Sequence, residues 1–184
     1  MTNYESFAES AVDDFGGLDN GIFGHMLLTG HSIIGEKPNN VTFKIYIEGG
    51  STSTNLIYAR LYHVDGTLIH TFGSVQENTI TSSTSGENIL FDTSAYNDTL
   101  HHNHCFCIES TNSNVKVAMK GTDVSPNGHR VRADTPNWAL DNSKDVWFIT
   151  NYGETSGSGG TPPIDGEGAL PIDYITYLKT RVPK

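Results

Sequence analysis

The chain has 184 residues, of which 36% are hydrophobic and only 17% charged, and its formal net charge is -10. That length suits one domain with appendages. The acid excess excludes a nucleic-acid partner, since the nearest basic stretch, His129 to Arg132, is too small to hold a phosphate backbone. No apolar run approaches the ~18 residues that span a bilayer.

Residues 1–20 carry Glu5, Glu9, Asp13 and Asp14 and end in Gly16-Gly17. They contain no apolar core of a secretory signal, so either a signal was removed before numbering or the protein reaches its site without one. Phe7, Ala11 and Phe15 recur at four-residue spacing, which fits a short amphipathic helix. A disordered or partner-docked arm is the other reading. Residues 22–34 are mixed apolar and hold the first strand.

The clearest pattern starts at Asn40. Val41, Phe43, Ile45 and Ile47 alternate with Thr42, Lys44, Tyr46 and Glu48, the period of a half-buried strand. After the flexible loop 49–54, residues 55–64 form the next strand. Leu56, Tyr58, Arg60 and Tyr62 lie on one face, and Ile57, Ala59, Leu61 and His63 on the other. Asp65-Gly66 then predicts a type I′ hairpin turn, with Leu68 to Phe72 returning antiparallel. Further strands are expected at 88–91, 104–109, 114–119 and 146–151, separated by polar and glycine-containing turns.

Many short strands with frequent turns predict an all-β fold, an antiparallel β-sandwich of jelly-roll-like form. The expected division is an N-terminal arm at 1–20, the sandwich at 21–153, and a linker with a C-terminal arm at 154–184. The linker reading rests on Ser156 to Pro163, and the arm reading on the apolar run from Asp173 to Lys179.

Residues 101–107 (His101, His102, Asn103, His104, Cys105, Phe106, Cys107) hold ligand atoms suited to zinc or copper, but at poor spacing. On a strand the two cysteines share a face as small hydrophobes, so no metal is assigned and no cofactor is expected. Asp141, Asn142 and Asp145 offer oxygens for calcium, but Val146 and Tyr152 break the EF-hand spacing, so an Asx-rich turn is expected. The carboxylates are scattered, and no nucleophile elbow, phosphate loop or zinc-protease motif occurs, so the chain is not read as an enzyme. Trp138, Trp147, Tyr58 and Tyr62 are the candidate ligand-binding residues: flat rings suit a sugar platform, although in a small sandwich such rings more often fill the core.

The strand order carries a family likeness. Val41 to Ile45, Ile57 to Tyr62, Asp65 to Gly73, Ile89 to Phe91, Cys105 to Glu109 and Asp145 to Phe148 follow one another in a pattern that resembles the jelly-roll-like sandwich modules of prokaryotic surface and virion structural proteins. The likeness covers roughly residues 30–153 and carries no site residues across. It implies a structural or binding module. The expectation is a non-enzymatic assembly subunit of a virion or extracellular surface layer, in contact with copies of itself or other structural subunits through its terminal arms. A carbohydrate-binding module is the alternative, with a glycan as partner.

Overall fold

A computed structural model describes residues 2–18, 21–125, 127–134 and 137–153. Thirteen strands run through these residues: β1 Thr2–Glu5, β2 Asp14–Gly17, β3 Ile22–Leu27, β4 Pro38–Ile47, β5 Leu56–His63, β6 Leu68–Gln76, β7 Glu87–Asp92, β8 His104–Glu109, β9 Val115–Lys120, β10 Gly128–Asp134, β11 Asn137–Asp141, β12 Asp145–Val146 and β13 Phe148–Tyr152. They form two antiparallel sheets. The first has the order β1-β13-β4-β9-β12, with β2 also on β9 and β7 also on β4; the second runs β11-β10-β3-β8-β5-β6.

Within this order lies a simpler one. Numbered from one to eight, β2 to β9 pair as 1-8-3-6 in the first sheet and 2-7-4-5 in the second. That is the pairing of two nested Greek keys, the jelly roll. The remaining strands are additions. The β10–β11 hairpin extends the second sheet from β3, and β12, β13 and β1 extend the first.

The period-two pattern of β4 becomes the centre of the core. Val41, Phe43, Ile45 and Ile47 are fully buried, and the residues between them are partly exposed. Facing them, Ile57, Ala59 and Leu61 of β5 and Phe106 and Ile108 of β8 point inward from the second sheet. Phe106 and Phe148 meet at 5.4 Å between ring centroids, a contact across the two layers. Truncating a ring such as Phe43 to Ala would cost about 4 kcal/mol, because close-packed neighbours collapse only partly into the space.

The N-terminal segment differs from expectation. Residues 2–5 and 14–17 are strands of the first sheet, and a single 3-10 turn, Glu9–Ala11, stands where the four-residue spacing predicted a helix. Sheet pairing outweighs the weak local helix preference, since β1 completes β13 and β2 completes β9. Phe15 packs edge-on against Tyr46 at 5.0 Å. Gly16 lies flat on Phe23, whose Cζ would stand 2.3 Å from an added Cβ, so the backbone must pass there without a side chain.

The hairpin at residues 63–67 forms, with a different turn. Gly66 has φ 89° and Asp65 does not reach positive φ, so this is a three-residue loop closed by a left-handed glycine rather than type I′. Asp65 Oδ1 accepts the Thr67 N–H at 2.9 Å and fixes it. The last strand is also divided. Val146 pairs with Met119 of β9 and Phe148 with Phe43 of β4, so the chain changes neighbour at Trp147. The linker and C-terminal arm, 154–184, lie outside the described residues.

Candidate functional site

Of the four aromatic residues expected as a sugar platform, Trp147 stands apart from Tyr58 and Tyr62, in the other sheet. Trp147 is fully buried in the first sheet, and its Nε1 donates to Glu5 Oε1 at 3.0 Å. It is a structural seal between the N-terminal segment and the last strands, which overturns a surface role for it. Tyr58 and Tyr62 stand on the outer face of the second sheet, with Tyr62 only 6% exposed. Trp138 lies on β11 opposite Ala133, in the same cross-strand row as Ile22, Glu109 and Tyr58. Its side chain lies outside what the structure describes.

What Tyr58 and Tyr62 do share is a charged pair. The Arg60 guanidinium lies 4.3 Å from the centre of the Tyr58 ring and donates to Glu109 Oε2 at 2.5 Å. The Tyr62 hydroxyl donates to the same oxygen. Burial, followed by that carboxylate, pushes the Tyr62 hydroxyl up to about 12, so it stays protonated and donating. Glu109 Oε1 has no hydrogen-bond partner among the described residues. Beside this pair opens a recess of about 450 Å³, lined by Ile22, Leu56, Tyr58, Glu109 and the polar loop 110–113.

The loop is held from behind by a buried carboxylate. Glu77, 1% exposed, accepts hydrogen bonds from Ser51 Oγ at 3.0 Å, Ser110 Oγ at 3.4 Å and Asn112 Nδ2 at 3.0 Å. In the sequence Glu77 and Glu109 are two among many scattered acids. The signal that marks Glu109 is its place at the end of a strand facing alternate residues 58, 60 and 62.

A second polar group sits at the opposite end. His31 Nε2 and the Tyr4 hydroxyl lie 2.9 Å apart in a smaller recess of about 300 Å³. Behind it His25 is fully buried, with both ring nitrogens lacking partners among the described residues. Burial, together with His31 and His129, drives the His25 ring down to about 3, and burial drives His31 down to about 4. Both rings are neutral at pH 7. Asp145 accepts the Val124 and Ser125 N–H groups at 2.6 Å each. Asp141 instead pairs with Arg130 and closes an Asx turn on Ser143.

Cys105 and Cys107 are free, fully buried thiols on the outer face of the second sheet, beside Met26 and Val131. Burial raises the Cys105 thiol to about 12, and Cys107 is raised as well. His104 and Phe106 face the other way, into the sandwich. Among the described residues, no three His, Cys, Asp or Glu side chains gather as a metal site. Nor is any helix among them long and apolar enough to cross a membrane. No protein-family model matches the chain, and no curated protein matches it.

Remaining exposed apolar surface gathers along one side of the sandwich. β6 pairs only with β5 and β7 only with β4, so each sheet ends there in a strand without a second partner among the described residues. The two end strands contact one another. Leu68 and Ile69 on β6 and Leu90 on β7 are 46%, 37% and 61% exposed, three of the five large hydrophobic residues that the described surface presents.

Proposed function

We propose that the chain is a non-enzymatic structural subunit that assembles with copies of itself through the edge formed by β6 and β7, in a virion or an extracellular surface layer. The observation that carries this reading is the pair of open strands bearing exposed Leu68, Ile69 and Leu90. An open strand offers unpaired N–H and C=O groups to another chain, and proteins that stay monomeric blunt such edges with Lys, Pro or inward charges. β6, residues 68–76, has no Lys, Pro or inward charge, and β7 has acids only at its two ends; β6 does carry two β-bulges against β5, at Ile69 and Phe72, which twist the edge without closing it. The terminal arms were the expected contacts. The N-terminal segment is spent on its own first sheet, away from β7, and the C-terminal arm lies outside the described residues, so the proposed contact is the edge that the described strands leave open.

A structural role also fits how the described acids are used. Glu109, Asp141 and Asp13 pair with Arg60, Arg130 and Lys120, and Glu77 and Asp145 hold loops. Support for the virion or surface setting is the likeness of the strand pattern to jelly-roll modules, and fold does not by itself give function.

Light scattering after size exclusion tests the reading across protein concentration. The wild type is expected to form a discrete oligomer, and Leu90→Lys and Ile69→Lys to weaken it at least tenfold while remaining folded. A wild type that stays monomeric at high concentration, or an oligomer indifferent to both changes, overturns it.

A further inference from the structure

The recess beside Glu109 has the features of a small-ligand site, independent of the β6–β7 edge. Its floor is a cross-strand row: Ile22 of β3 pairs with Glu109 of β8, which pairs with Tyr58 of β5. Three adjacent strands at about 4.8 Å spacing make a strip roughly 10 Å wide, apolar at both sides and carboxylate in the middle. Leu56, 38% exposed, extends the apolar wall. The rim carries hydroxyls from Thr111 and Ser113, while the buried Ser110 turns its hydroxyl back to Glu77.

Three observations give this recess a ligand class. First, it is pre-organised. Arg60 and Tyr62 hold one oxygen of Glu109, leaving Oε1 as an acceptor without a partner among the described residues, and Glu77 pins the rim loop through Ser110 and Asn112. Rigid groups bind without first losing side-chain freedom. Second, the local charge is balanced, because Arg60 matches Glu109. With a net charge of -10 on the chain, an anion is repelled, while a cation gains little from a carboxylate already paired. Third, the surface is amphipathic, with ring and aliphatic carbons on one side and acceptors and hydroxyls on the other. A volume of about 450 Å³ lies within the usual range of small-molecule sites.

We infer that this recess binds one neutral sugar ring of a glycan, its C–H face on Tyr58, Leu56 and Ile22 and its hydroxyls on Glu109 Oε1, Thr111 and Ser113. Of the aromatic residues expected to meet a glycan, Tyr58 lines this recess, beside Glu109 held by Arg60.

Saturation-transfer NMR on the full chain tests this, with a panel of neutral methyl glycosides and matched uronic acid and sulfated sugars at millimolar concentration. The neutral members are expected to bind, and Tyr58→Ala and Thr111→Val to weaken them at least fivefold. Glu109→Gln, which keeps the shape but turns one oxygen into a donor, is expected to change which sugars are preferred; circular dichroism checks its fold. Leu90→Lys, on β7 of the other sheet and outside the recess lining, is expected to bind as the wild type does, so loss of assembly and loss of sugar binding read out separately. No binding by any neutral sugar, a preference for the anionic ones, or binding unmoved by Tyr58→Ala overturns the inference.

Discussion

Acidification should strip stability from this fold through its buried histidines, His25, His31 and His104, and His25 is the place to test it. His25 is fully buried and His31 4% exposed, and their rings are held down to about 3 and about 4. In the unfolded chain each titrates near 6.5. Between those limits the unfolded chain binds more protons than the folded one, so stability rises with pH and is lost as pH falls. Taking one ring from pH 7 to pH 5 removes roughly 2 kcal/mol, and the two together roughly 4 kcal/mol, a large share of the stability of a small domain. His25→Phe keeps a ring against Phe148, now 5.0 Å away, and removes one titration. Urea unfolding at pH 7, 6 and 5 is the assay. The variant should lose roughly 2 kcal/mol less than the wild type over that interval, whatever its absolute stability. Comparing slopes cancels the contribution of Asp145, whose carboxyl burial raises. Parallel slopes for the two proteins would refute the assignment of a neutral, buried His25.

Other consequences follow from close contacts and buried groups. Gly24→Ala should destabilise by about 3 kcal/mol in chemical denaturation, because the added Cβ would stand near a backbone oxygen with nowhere to go; that oxygen, of Phe106, lies 2.1 Å from the ideal Cβ position. Glu77→Ala should cost about 3 kcal/mol by leaving three donors without their acceptor, and hydrogen exchange should speed up in loop 110–114. The native thiols of Cys105 and Cys107 should resist iodoacetamide at pH 8 and react at once in denaturant, since both are buried and their pKa values are raised.

The parts of the fold legible in sequence were those where local pattern and tertiary pairing agree. β4 shows alternation over seven residues because one of its faces meets the core and the other does not. The Asp65-Gly66 signal marked a hairpin correctly, though the chain closes it with one left-handed residue instead of two. β1 and β2 were hidden because Thr2 to Glu5 and Asp14 to Gly17 carry no apolar alternation; they are strands because β13 and β9 offer edges. Trp147 read as either platform or core, and its buried hydrogen bond to Glu5, 142 residues away, decides for core. The Arg60–Glu109 pair was illegible for the same reason: residues 49 apart meet only once β5 and β8 are neighbours.

The central claim, that the open edge of β6 and β7 is a subunit contact, meets its most direct test in hydrogen–deuterium exchange on dilute and concentrated protein. Amides of residues 68–76 and 87–92 are expected to gain protection as the oligomer forms, while those of β11 at the other end of the second sheet are not. Assembly that leaves both segments exchanging as in the monomer would contradict it.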